Sequence, residues 1–176
     1  METLGSKQVY ADAWLAVRED EIRRADGSTG IYTVVDSPDI ALVIPVDGDR
    51  LHLVEQYRYP VGARRWEFPC GTADEELDGD PVTTAARELR EETGLVAGRL
   101  TPLGTLDVAP GMLSQRCQVF LATELTTGRP DREIEEQDMR SAWFTRADLE
   151  RMILDGSFTD AKSTAAYALM LLRGRT

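Results

Sequence analysis

The chain has 176 residues, 42% of them hydrophobic, which suits one compact domain with a buried core and is too little for two of full size. Its 31 acidic and 20 basic residues leave a formal net charge of -11, a field that repels nucleic acid and disfavours a polymeric polyanion as partner. The opening residues lack a signal-like apolar run and no later segment approaches membrane-spanning length, so a cytoplasmic protein with no membrane partner is expected.

From Tyr10 to Arg58 the pattern is strand-like, with runs at 13–20, 31–35, 40–46 and 51–59. Turn signals separate them at Ala25-Asp26-Gly27 and Val46-Asp47-Gly48-Asp49. A helix is predicted over 81–93, with Asp80 as N-cap, Pro81 at the first helical position and Gly94 as the stop. Strands are predicted near 103–108, 118–122 and 140–144, and helices over 146–154 and 161–173. Residues 126–137, polar and carrying Gly and Pro, read as a loop, and its Glu133, Glu135 and Glu136 are compatible with a merely solvated surface. Cys70 and Cys117 are too few and too far apart for a zinc pattern or a small-domain disulfide framework and read as buried or half-buried thiols without chemistry. His52, alone on a strand, reads as a structural or surface residue.

Within the 81–93 helix, Val82, Ala85, Ala86 and Leu89 are expected to form the core-facing stripe. Glu88 and Glu92 lie one turn apart, and Glu91 flanks them on the same side. Such crowding costs a few tenths of a kcal/mol, roughly, for each like-charge pair unless a cation compensates. Oxygen-rich clusters of this kind suit magnesium or manganese. The helix by itself reads rather as a solvated acidic face on which Arg87 pairs with Glu91.

The surrounding pattern decides between the two. Arg87-Glu88-Leu89-Arg90-Glu91-Glu92-Thr93-Gly94-Leu95 matches the second half of the Nudix signature: Arg, Glu, aliphatic, any, Glu, Glu, any, Gly, aliphatic. Upstream, Glu55-Gln56-Tyr57-Arg58-Tyr59-Pro60-Val61-Gly62 and Trp66-Glu67-Phe68-Pro69-Cys70-Gly71 resemble the strand and loop before the box in the ADP-ribose pyrophosphatases of this superfamily, and Pro110 stands where that subgroup typically has a proline. The resemblance implies an α+β fold, a mixed β-sheet sandwiched between α-helices with an antiparallel N-terminal portion. It also implies a single domain over 1–176 and a homodimer in which strands from 1–36 are exchanged.

The implied activity is metal-dependent cleavage of the pyrophosphate bond in a small nucleoside diphosphate, foremost ADP-ribose to AMP and ribose 5-phosphate. The resemblance assigns Glu88 and Glu92 as the main Mg2+ or Mn2+ ligands, Glu91 as a further ligand and the Cys70 carbonyl as a backbone contribution. It gives Arg87 the orientation of the carboxylates and places the general base on the 126–137 loop, at Glu136 or else Glu135. Arg58, Arg65, Glu67, Pro110 and Trp14 are the implied substrate contacts, although Arg64 and Arg65 also suit ordinary surface charge and a tryptophan in a strand also suits the core.

Three positions depart from the pattern. Gly79 stands where the box requires a glutamate, and Gly71 falls two residues early, leaving Glu75 or Glu76 as replacements. Gln115 stands near a position that is often acidic in ADP-ribose pyrophosphatases, and Cys70 replaces a common alanine. The competing readings are therefore a pyrophosphatase of a nucleotide sugar, GDP-mannose or ADP-glucose, and a catalytically inactive ligand-sensing Nudix module. The second fits poorly with three intact helix carboxylates.

Overall fold

The computed structural model describes residues 1–73, 80–132 and 134–174, the Glu135 side chain excepted. Two compact units emerge, one of residues 1–39 with 107–116 and the other of 40–106 with 117–176.

In the first unit, β1 (Glu2–Ala11), β2 (Ala16–Arg23) and β3 (Thr29–Asp36) form an antiparallel sheet in that order. Its register runs from Glu2↔Arg23 to Ala11↔Ala16 and from Ala16↔Asp36 to Arg23↔Thr29. The sequence pattern, strand-like only from Tyr10, does not anticipate β1, and its first run at 13–20 falls on β2. Every residue of β1 is exposed, so no alternation of polar and apolar residues marks it as a strand. Trp14 was expected in a strand and is instead in the β1–β2 connection, where the Asp12 carboxylate accepts from the backbone N–H groups of Trp14 (2.8 Å) and Leu15 (3.0 Å). The loop carrying Pro110 is held to β3 by Val35 N–H to the Met112 carbonyl (2.8 Å) and by the Tyr32 hydroxyl to the Gly111 carbonyl (2.6 Å).

The second unit is built on a mixed sheet of β10 (Arg140–Thr145), β5 (Arg50–Arg58), β4 (Ile40–Asp47), β9 (Arg116–Thr127) and β8 (Leu95–Asp107), in that order. Off that path, β6 (Ala63–Glu67) pairs with β5 and β7 (Cys70–Thr72) with β4. β4 runs parallel to β9 and antiparallel to β5 and β7, and every residue from Ile40 to Pro45 is buried. The continuous apolar run follows from burial on both faces. Ile40, Leu42 and Ile44 pack with Leu149 and Met152 of α2 (Arg146–Asp155) and with Ala166, Tyr167 and Met170 of α3 (Ala161–Arg173). Ala41 and Val43 pack on the other side with Ala85 and Leu89 of α1 (Pro81–Thr93). A mixed sheet between helices, as expected, is the result.

α1 begins and ends where its residues dictate. The Asp80 side chain accepts from Val82 N–H, Pro81 occupies the first turn, and Gly94, at φ 76°, donates its N–H to the Arg90 carbonyl (2.8 Å). Its buried face differs from the expected stripe: Val82 and Ala86 are exposed, and Thr84, Ala85, Glu88, Leu89, Glu92 and Thr93 are buried. The seam that faces inward therefore carries two carboxylates. No described helix is long and apolar enough to cross a membrane.

Candidate active site

Gly71 on β7 gives Glu88 its place. A Cβ at residue 71 would stand 2.0 Å from the Glu88 carboxyl carbon, so only glycine leaves room for that carboxylate against the strand. One turn on, Glu92 is 1% exposed, and its Oε2 is buried without a hydrogen-bond partner among the described residues. Burial pushes the Glu92 pKa up, as do the carboxylates of Glu136, Glu88 and Glu67, while Arg58 pulls it down. Glu91, at the edge, pairs with Arg87 (2.9 Å) and Arg90 (2.9 Å). Arg87 also reaches Glu88 (2.8 Å) and the Thr72 carbonyl (3.1 Å), so one guanidinium spans both carboxylates and β7.

Among the described residues no three His, Cys, Asp or Glu side chains are already gathered around one point. The donor set nevertheless suits a hard divalent cation. An orphaned buried carboxylate oxygen costs free energy that a cation would offset, and the cradle at Gly71 keeps a second carboxylate on the same face. The Cys70 thiol is pushed up by its interaction with Cys117 and by burial. These cysteines, distant in sequence, meet because β7 and β9 both pair with β4.

A second cluster lies where the β5–β6 hairpin brings Arg58 and Glu67 together. Arg58 donates twice to the Glu67 carboxylate (2.8 and 2.7 Å), and Lys162 of α3 donates to it as well (2.7 Å). Burial works against the charge on Lys162, but Cys70, Glu67 and Asp160 outweigh it and push its pKa up. α3 is fixed there by Asp160, which caps Ser163 N–H (2.9 Å), and by the Ser163 hydroxyl, which accepts from Phe68 N–H (2.9 Å). Beside this cluster is a cavity of about 520 Å³, lined by Arg58, Arg65, Glu67 and Asp160 among others. Arg65 makes no ion pair among the described residues, its Nη1 donating only to the Arg64 carbonyl (2.9 Å).

The remaining expected residues divide clearly. Glu136 ends a 3-10 turn, Ile134–Glu136, and is close enough to Glu92 to raise its pKa. Glu133, Glu75, Glu76 and Gly79 lie outside the described residues, as does the side chain of Glu135. Trp14, 71% exposed, and Pro110 belong to the first unit, and Gln115 donates there to the Ser37 hydroxyl (3.1 Å) and the Pro38 carbonyl (2.7 Å). Arg64 is committed to Glu55 (2.9 Å) and Asp138. Lys162 was not anticipated: a lysine two residues past a helix cap carries no sign of its partner until α3 is docked on the sheet.

The family model for the NUDIX domain matches residues 37–167, and that for the nucleoside diphosphate sugar hydrolase N-terminal domain matches residues 1–35. The chain belongs to the Nudix family. It is 38% identical over 167 residues to an ADP-ribose pyrophosphatase of Mycobacterium tuberculosis, covering 93% of this chain and 80% of that one. A second ADP-ribose pyrophosphatase, from Bacillus subtilis, is 28% identical over 174 residues, covering 98% and 92%. Among solved structures, an ADP compounds hydrolase superposes with a TM-score of 0.85 at 22% identity, over 98% of this chain and 94% of the other. The chain is thus a Nudix hydrolase of the ADP-ribose pyrophosphatase type.

Proposed function

We propose that this Nudix hydrolase cleaves the pyrophosphate bond of ADP-ribose with Mg2+ or Mn2+ bound by Glu88, Glu91, Glu92 and the Cys70 carbonyl. The observation that carries the reading is the inward carboxylate seam of α1, with Glu88 cradled at Gly71 and a Glu92 oxygen without a hydrogen-bond partner among the described residues. Divalent cations held there would neutralise the diphosphate oxygens and lower the pKa of the attacking water. The protein's own residues supply the rest. Arg87 holds Glu88 and Glu91 in register with β7. Arg58 and Arg65 receive the anionic substrate, and Glu67, clamped by Lys162, fixes the Arg58 guanidinium. Glu136 takes the proton from water as its oxygen attacks one phosphorus. The bond from that phosphorus to the bridging oxygen breaks, leaving AMP and ribose 5-phosphate.

Resemblance alone assigns Trp14 and Pro110 as substrate contacts and Glu135 as the alternative base. The homodimer is likewise proposed from the resemblance, with β1, exposed along its whole length, as a surface that a second copy would cover. A nucleotide sugar, GDP-mannose or ADP-glucose, is the second reading, favoured by the engagement of Gln115 with Ser37 and Pro38 at a position where ADP-ribose pyrophosphatases are often acidic. The deciding experiment incubates the protein and Mg2+ or Mn2+ with ADP-ribose, ADP-glucose, GDP-mannose, NADH and a nucleoside triphosphate and follows AMP or GMP release. Fastest turnover of ADP-ribose is expected; preference for a nucleotide sugar by about tenfold would replace it with the second reading.

A further inference from the structure

The last turn of a helix leaves carbonyl groups with no partner of its own, and here the segment leading to Glu136 supplies them. Gly128 N–H donates to the Gly94 carbonyl (2.7 Å), Asp131 N–H to the Glu91 carbonyl (2.9 Å) and Arg132 Nε to the Glu92 carbonyl (3.0 Å). The chain lies flush on the helix end: a Cβ at Gly94 would meet Arg129, Gly128 and Pro130 backbone atoms at 2.9 Å. Arg132 also donates through Nη1 to the Met139 carbonyl, and its own carbonyl accepts from the Gln137 amide (2.7 Å). Met139 N–H in turn donates to the Glu136 carbonyl (2.9 Å). One half-buried guanidinium thus joins the helix turn that bears Glu92 to the far side of the turn that bears Glu136, and it makes no ion pair among the described residues. A cation at the negative end of the helix dipole, with two donors fixed in one plane, is suited to this task.

We infer that Arg132 is a positioning residue that sets the distance between the α1 carboxylates and Glu136. This rests on the proposed role of Glu136 as base. Removing the fork frees the turn, and a displacement of about 1 Å at the reacting groups is worth on the order of a hundredfold in rate. Arg132→Met should lower kcat by about that factor with KM changed less than about threefold, and Arg132→Lys, which keeps the charge but not the fork, should fall between. Because Arg132 acts through Glu136, adding Arg132→Met to Glu136→Gln should cost less than about twofold more.

The test measures kcat for wild type, the three single variants and the Arg132→Met and Arg132→Lys doubles with Glu136→Gln. Amide exchange is followed alongside over residues 128–140 and 81–93. Faster exchange confined to 128–140, with a non-additive cycle, is expected. Multiplicative losses in the double variants would overturn the role of Arg132 while leaving Glu136 as the base. A Glu136→Gln variant within about twofold of wild type would instead remove the base assignment itself, and this inference with it. If Arg132→Met does not fold, Arg132→Lys carries the same cycle.

Discussion

Replacing Gly71 by alanine puts a methyl carbon into the space that the Glu88 carboxylate occupies. The added atom would lie 2.0 Å from the carboxyl carbon and 2.2 Å from each oxygen. Ordinary contact begins near 3.4 Å, so the carboxylate must withdraw by roughly 1.4 Å. Gly71 has no left-handed backbone conformation, and the atoms in the way are the far end of a flexible side chain. Overpacking costs about 1–3 kcal/mol in a rigid core, and the loss here should fall at the low end of that range. Catalysis should suffer far more, because in the proposed metal-ligand role of Glu88 a displacement of more than an ångström is worth on the order of a hundredfold. Thermal denaturation with kcat measured at saturating Mg2+, and Mn2+ affinity by electron paramagnetic resonance, would separate the two effects. Gly71→Ala with kcat and Mn2+ affinity within about twofold of wild type would refute the reasoning, since Glu88 would then not need its place against β7.

Three further outcomes follow from the same geometry. The folded-state pKa of Glu92 is raised, so its contribution to stability is complete below the ordinary glutamate range and is lost as pH rises through the folded value. In EDTA at neutral pH, Glu92→Gln should therefore melt higher than wild type while losing turnover, and an unchanged or lower melting temperature would contradict the buried, unpartnered placement. His52 shifts the opposite way: burial, then Arg132, lowers its pKa to about 4 from 6.5. Its share of stability is full above 6.5 and is lost as pH falls toward 4, so His52→Gln should flatten the stability curve across that window in urea titrations. Lys162→Met leaves the 2%-exposed Glu67 with Arg58 as its one cation among the described residues and, removing one charge-assisted hydrogen bond, should cost about 1.5–3 kcal/mol by urea denaturation. A loss below about 1 kcal/mol would show that Lys162 is not needed at Glu67.

How much of this was legible in the residues depends on whether a signal is local. The ends of α1 were, because an N-cap aspartate, a following proline and a glycine stop each act through their own backbone. The spacing of Glu88, Glu91 and Glu92 was too. The face they occupy was not: a polar residue counts against burial in any periodicity, so the pattern puts the core stripe through Val82 and Ala86, which are exposed, instead of along the seam that includes Glu88 and Glu92. Local rules fail where function buries charge. Arg132 and Lys162 were silent for another reason, since their partners, the Glu92 carbonyl and the Glu67 carboxylate, are 40 and 95 residues distant in the chain. β7 is three residues long, too short to carry an alternation, yet it provides the glycine against which Glu88 rests.

The most direct test of the α1 carboxylates as the metal-dependent centre is ADP-ribose turnover titrated with Mn2+ after EDTA treatment, in wild type and Glu92→Gln side by side. Release of AMP that is absent in EDTA, rises to saturation with Mn2+ in wild type and stays at least a hundredfold lower in the variant, roughly, is the predicted result. Undiminished turnover in EDTA, or wild-type turnover by Glu92→Gln, would contradict it.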